Sequence, residues 1–88
     1  MRWKSEHKHQ KNWRFIIQQE DLYDVIEKTP LVEFCLYVFE NPNDFQDDLQ
    51  GNDCVSFQDK YCQDDLQTSQ KQALEDFGIP LDSWVQVA

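Results

Sequence analysis

A strongly apolar run near the middle of the chain, with Glu33 as its one charged residue, limits the possible folds more than any other feature. Residues 31–39 read Leu-Val-Glu-Phe-Cys-Leu-Tyr-Val-Phe, and the run is bounded by Thr29-Pro30 and Asn41-Pro42. Such a segment must be buried, and a chain of 88 residues has room for one domain with one core. We therefore take the run as the central core element.

The periodicity of this run fits two structures. A helix would place four residues on one stripe, namely Leu31, Phe34, Cys35 and Val38. A strand would instead form an apolar face from Val32, Phe34, Leu36 and Val38. A Thr-Pro pair is typical of a helix N-cap and first helical position, and Asn-Pro is typical of a helix end. We favour a helix over residues 31–40, and the strand is the alternative.

Other segments carry helical signals. Leu22, Val25 and Ile26 have helical spacing and predict a helix over residues 20–29. Shorter helices are predicted over residues 44–50 and 56–66. The last helix has the best local signals, because Ser69 and Gln72 form a capping box and Gly78 is suited to end the helix.

The predicted architecture is mostly α, a compact bundle of four or five short helices with or without one N-terminal strand. The alternative is a small α+β fold in which residues 13–17 and 32–38 pair as strands. Residues 1–12 are polar and basic, which is typical of a flexible arm or a weakly docked strand. Residues 13–88 are predicted to form a single small acidic domain, with Trp84 as a core anchor.

The net charge of −9 is unevenly distributed. Residues 1–14 carry five basic residues and one acid, a balance of +4, whereas the rest of the chain has 16 acids against three lysines, a balance of −13. A body of this charge repels nucleic acid and anionic lipid and attracts basic surfaces. We expect a basic protein partner, no direct nucleic-acid binding and no membrane association. The absence of an export signal or long apolar run predicts a soluble, cytoplasmic protein.

The residues needed for common chemistries do not occur in recognisable patterns. Cys35, Cys54 and Cys62 are odd in number and have no zinc-ribbon spacing, so we expect unpaired thiols in a reducing compartment. His7 and His9 lie in the basic arm, which we expect to be mobile, so we do not expect a rigid Cys-His pair. We predict no enzymatic activity, no metal site and no cofactor.

The acidic segment is the candidate binding surface. Residues 40–65 contain eight acids and one lysine. Spaced carboxylates can meet Arg and Lys on a partner, with aromatic residues as anchors. The candidate partner-binding residues are Asp44, Phe45, Asp47, Asp48, Asp53, Asp59, Tyr61, Asp64 and Asp65.

The predicted function is a small acidic protein-interaction module or inhibitor that docks on a basic surface. One form of this function is a nucleic-acid mimic that blocks a DNA- or RNA-binding protein. The alternative is a non-catalytic subunit or assembly factor that packs into a larger complex through its apolar helix and Trp residues.

Overall fold

The computed structural model describes residues 1–40 and 59–87, with the side chain of Asp59 excepted. The described residues form one antiparallel sheet and one α-helix packed on it. The strands are β1 (Arg2–Ser5), β2 (Arg14–Asp24), β3 (Thr29–Phe39), β4 (Asp59–Gln63) and β5 (Trp84–Gln86), in the order β4-β3-β2-β1-β5. The helix α1 spans Leu66–Phe77, and a 3₁₀ turn at Leu81–Ser83 leads into β5.

The prediction of a mostly helical bundle is therefore wrong. The helix predicted over residues 20–29 is replaced by the second half of β2, a turn and the first residue of β3. The helix predicted over residues 31–40 is instead most of β3, whose partner is β2, with Phe15 opposite Val38 and Ile17 opposite Leu36. The helix predicted over residues 56–66 is wrong where it can be compared, because Asp59–Gln63 is strand β4. The helix predicted over residues 44–50 lies outside the described residues.

The sequence of β3 does not alternate between apolar and polar residues, because the C-terminal half of the strand is buried on both faces. Leu36 and Val38 face α1, whereas Cys35, Tyr37 and Phe39 lie on the opposite face, and all five are at most 2% exposed. A strand covered on both sides reads as a continuous apolar run, which periodicity alone does not distinguish from a buried helix.

The main core lies between the sheet and α1. Its buried members come from β2, β3, α1 and the segment after the helix: Phe15, Ile17, Leu36, Val38, Ala73 and Ile79. Trp84 packs against this cluster, as the sequence predicts, and so do Trp3 and Trp13. Full burial of each large apolar side chain contributes about 1.5–3 kcal/mol, so this cluster supplies much of the favourable free energy that stabilises a domain of this size.

The helix ends where the sequence predicts and begins earlier. Gly78 is in the left-handed region at φ 70°, and its N–H donates to the carbonyl of Leu74 at 2.9 Å. The N-cap is Asp65, whose carboxylate accepts from the Thr68 N–H at 2.7 Å, so the prediction of Ser69 as N-cap is wrong. Ser69 is buried inside α1, and its hydroxyl donates to the Phe34 carbonyl at 3.2 Å, which ties the helix to β3.

Candidate functional site

The structure describes the side chains of three of the nine candidate partner-binding residues. Asp44, Phe45, Asp47, Asp48 and Asp53 lie outside the described residues. Asp59 is the first residue of β4, and only its backbone is described. Whether these residues form one surface therefore stays a prediction.

The three candidates with described side chains are close together in sequence but have different environments. Tyr61 is half-buried on the helix face of the sheet, with its ring 6.2 Å from that of Phe77, so it packs against the core. Asp65 caps α1, and the hydrogen bond from the Thr68 N–H lowers the pKa of its carboxyl. Asp64 is exposed. A structural role thus accounts for Tyr61 and Asp65.

A projecting hairpin is the most exposed apolar feature of the described residues. Strands β2 and β3 are joined by a hairpin turn between Asp24 and Thr29. Toward this turn, the pairing of β1 with β2 ends at Gln18, and the pairing of β4 with β3 ends at Phe34. The β2–β3 ladder continues beyond both points to the Asp24–Thr29 pair. Residues 21–32 therefore form a two-stranded extension, here called the hairpin arm, whose outer edges are unpaired in the described sheet.

The turn of the hairpin arm is specified locally. The Asp24 carboxylate accepts from the backbone N–H groups of Ile26 at 2.9 Å and Glu27 at 3.0 Å, and Lys28 closes the turn at φ 56°. An Asp that caps its own turn and a left-handed residue at the end are typical of four-residue hairpin loops. Pro30 is tolerated near the start of β3 because β4 does not extend along this part of the strand.

Large apolar side chains cover the hairpin arm and are open to solvent. Ile26 is 88% exposed, Val25 76% and Tyr23 61%. Leu22, Leu31 and Val32 are each a little over 40% exposed. The arm also carries three acids, Asp21, Asp24 and Glu27, against Lys28, a formal balance of −2. Clustered exposed apolar residues beside charged ones are characteristic of a binding surface.

Sequence reasoning missed this surface because Leu22, Val25 and Ile26 have the spacing of a buried helical stripe. The signal that could have found it is Asp24 followed by four residues and a second β-branched segment, a pattern that predicts a capped hairpin turn.

The face of the sheet opposite α1 contains a disulfide bond. Here this surface, formed around Cys35 and Cys62, is called the cysteine face. Cys35 and Cys62 are directly opposed on β3 and β4 and are bonded to each other. The prediction of unpaired thiols is therefore wrong for these two, and Cys54 lies outside the described residues. Cys35 is fully buried, whereas Cys62 is exposed.

Polar groups surround the disulfide. Glu20 is nearly buried, and its carboxylate accepts from the Tyr37 hydroxyl and from the Lys60 ammonium at 3.3 Å. The Lys60 ammonium also lies 5.2 Å from the centroid of the Tyr37 ring. Further along the sheet, Arg2 donates to the Gln18 amide oxygen at 3.2 Å. Burying a carboxylate requires partners of this kind, so the network stabilises Glu20 in its position.

His9 belongs to an aromatic cluster on the helix side of the sheet. Its ring stacks on Trp13 at 5.1 Å between centroids, and its Nδ1 accepts from the Lys11 N–H at 3.1 Å. Burial first, then the nearby charges of His7 and Lys11, lower the pKa of His9. Cys35 and Cys62 lie on the opposite face, so the described residues pair neither cysteine with this histidine. The expectation of no enzymatic activity stays a prediction.

Comparison with protein-family models, with curated proteins and with solved structures finds no match for this chain. Among the described residues, no helix is both long enough and apolar enough to cross a membrane.

Proposed function

We propose that the protein is an acidic protein-interaction module that binds its partner through the hairpin arm. The observation that carries the proposal is the exposure of six large apolar side chains on one two-stranded extension whose outer edges pair with no other described strand. Exposed apolar edge strands promote aggregation, and proteins normally protect them with charges or cover them. An arm that keeps Val25 and Ile26 at its tip is best explained by a binding role.

The occupant is a protein with an apolar cleft that has a basic rim. The apolar tip fits an apolar cleft, and the exposed carboxylates of Asp21 and Glu27 on the same arm can meet Lys or Arg at the rim of that cleft. A second copy of this chain is a poorer occupant, because two arms with a balance of −2 each would approach on bodies that already repel. Charge complementarity therefore favours a basic partner of a different sequence.

The alternative function, a subunit that packs through its apolar helix and Trp residues, has less support. Residues 31–40 are mostly strand β3, which is buried in this domain over its C-terminal half, and the three Trp residues pack against its own core. Nucleic-acid mimicry by the acidic segment stays a prediction, because most of the residues it invokes lie outside the described residues.

A cytoplasmic location also stays a prediction. Disulfides of cytosolic proteins are mostly transient or redox-sensing. If the protein is cytoplasmic, we therefore expect the Cys35–Cys62 bond to be largely reduced there, which thiol trapping in intact host cells can measure.

The experiment places a photo-crosslinking amino acid at Ile26 in the native host, with Glu75 on the exposed side of α1 as the matched position. The proposal predicts a specific crosslinked protein from position 26 and not from position 75. The identified partner is then purified, and its affinity for the full chain is measured at low and high salt. Affinity should fall as salt rises, because acidic and basic groups meet at the rim.

Matched variants test whether the hairpin arm carries the affinity. Ile26→Ser should weaken binding roughly tenfold or more, as loss of an interface anchor does. Leu81→Ser, which removes an apolar side chain that is 50% exposed outside the arm, should leave affinity unchanged. Both positions are exposed, so stability should change by less than about 0.5 kcal/mol. Equal affinities of wild type and Ile26→Ser, or a crosslink only to a second copy of the chain, would overturn the proposal.

A further inference from the structure

Three metal-binding side chains meet on the cysteine face. Glu33 and Cys35 are two residues apart on β3 and therefore project from the same side of the sheet, and Cys62 is directly opposite Cys35 on β4. One ligand atom from each of the three lies within 4.8 Å of the other two. The strand pairing thus directs two sulfurs and one carboxylate toward a common point.

We propose that, when the disulfide is reduced, Cys35, Cys62 and Glu33 bind one Zn²⁺ ion, and that zinc and the disulfide compete for the same two sulfurs. Thiolate and carboxylate groups are both common zinc ligands, and three protein ligands leave a fourth position for water. The inference goes beyond the proposed function and does not depend on it.

Zinc binding requires only small side-chain movements. With Zn–S bonds of about 2.3 Å and tetrahedral angles, the two sulfurs must be about 3.8 Å apart, which follows once the covalent bond between them is broken. The carboxylate of Glu33 is already within 4.8 Å of both sulfurs. The pairs on either side of Cys35–Cys62, Phe34–Gln63 and Leu36–Tyr61, hold the two strands in register.

The electrostatics of the cysteine face favour a cation beside Glu33. Glu33 is directly opposite Glu20 in the β2–β3 ladder, and like charges in opposed positions destabilise a sheet. Glu20 has Tyr37 and Lys60 as partners, whereas the Glu33 carboxylate has no hydrogen-bond partner among the described residues. A divalent ion bound to Glu33 would remove the repulsion between the two carboxylates.

The unequal exposure of the two cysteines defines the redox step. A thiolate of a dithiol reductant attacks the exposed Cys62 Sγ, the Cys35–Cys62 bond breaks, and Cys35 leaves as a thiolate. The second thiol of the reductant then displaces Cys62, so the reductant becomes a disulfide and supplies both electrons. Zn²⁺ binds the two cysteines as thiolates, with release of the protons they would carry as free thiols.

The test titrates the full-length chain with Co²⁺, a spectroscopic substitute for Zn²⁺, without oxygen. The reduced protein should bind one Co²⁺ with sulfur-to-cobalt charge-transfer absorption that added Zn²⁺ abolishes, and the oxidised protein should show none. Cys35→Ser and Cys62→Ser should each lose this signal. Glu33→Gln should weaken binding roughly tenfold or more. The matched controls Cys54→Ser and Glu27→Gln should bind as wild type.

A second measurement uses only the wild-type chain and does not depend on whether a variant folds. Oxidised glutathione is added to the reduced protein with and without Zn²⁺, and the Cys35–Cys62 disulfide is quantified by mass spectrometry after the free thiols are blocked. Zn²⁺ should slow disulfide formation at least tenfold. The proposal is overturned by any of three results: equal rates with and without Zn²⁺, a charge-transfer signal in the oxidised protein, or loss of the signal in Cys54→Ser.

Discussion

Reduction of the Cys35–Cys62 disulfide should destabilise the protein by a large fraction of its total stability. The bond joins β3 to β4 across a sequence separation of 27 residues. Reduction is a cleaner perturbation than substitution, because Cys35 is fully buried and its replacement would also change the packing of the cysteine face.

The expected loss follows from the length of the closed loop. A cross-link between residues 27 apart lowers the entropy of the unfolded chain, and the loop-closure relation gives about 3.5 kcal/mol at 25 °C. A domain of 88 residues has a total free energy of unfolding of roughly 4–13 kcal/mol. The same loss corresponds to a fall in Tm of roughly 15–25 °C.

Urea unfolding of the oxidised and reduced proteins measures this difference. Fluorescence of Trp3, Trp13 and Trp84 reports on the main core, against which all three pack. The Cys54→Ser background prevents alternative disulfides, and a chelator removes metal that could stabilise the reduced form. A difference in free energy of unfolding below about 1 kcal/mol would refute the reasoning, because the cross-link would then leave the unfolded chain almost unconstrained.

Two further predictions concern the ends of α1. Gly78→Ala should destabilise the protein by about 1 kcal/mol in chemical denaturation, because a residue with a Cβ is strained at φ 70° even though no atom lies within 4 Å of the added group; an unchanged free energy of unfolding would contradict this. The pKa of Asp65 is lowered in the folded state, so its contribution is fully present above its ordinary value of 3.8 and is lost as pH falls through the lower folded value. Wild type should therefore lose stability relative to Asp65→Asn in acid, and parallel pH profiles of the two proteins would exclude the effect.

The end of α1 could be predicted from the sequence because its determinants are adjacent in the chain. Gly78 adopts the left-handed conformation, and Ile79 donates its N–H to the Ala73 carbonyl at 3.2 Å, as the Gly-Ile pair indicates. The packing of Trp84 against the core could also be predicted, because a large aromatic side chain gains much free energy from burial.

The strands could not be predicted from local patterns because their pairing is not local. Residues 20–29 have helical spacing, yet Leu22 and Ile26 are exposed and pairing with Thr29–Phe39 decides the conformation. The disulfide is equally non-local, because no spacing rule relates Cys35 to Cys62 until β3 and β4 pair. Tertiary context overrides propensity in both cases.

The roles of the acidic residues were difficult to predict for a different reason. A count of carboxylates treats all acids alike, whereas Asp65 caps α1, Asp24 caps the hairpin turn and Glu20 is held by Tyr37 and Lys60. Only the folded backbone shows which carboxylates accept hydrogen bonds from their own chain and which are available to a partner.

The two proposed sites are close together but rest on separate parts of the ladder. The pairing of β4 with β3 ends at Phe34–Gln63, one pair beyond the disulfide, and the hairpin arm projects beyond that point. The pairs that hold the arm, from Asp21–Val32 to Asp24–Thr29, involve β2 and β3 alone. As long as the reduced domain stays folded, we expect these pairs to persist, because none of them includes a residue of β4. Partner binding through the arm and zinc binding on the cysteine face are therefore independent properties, and the failure of one leaves the other standing.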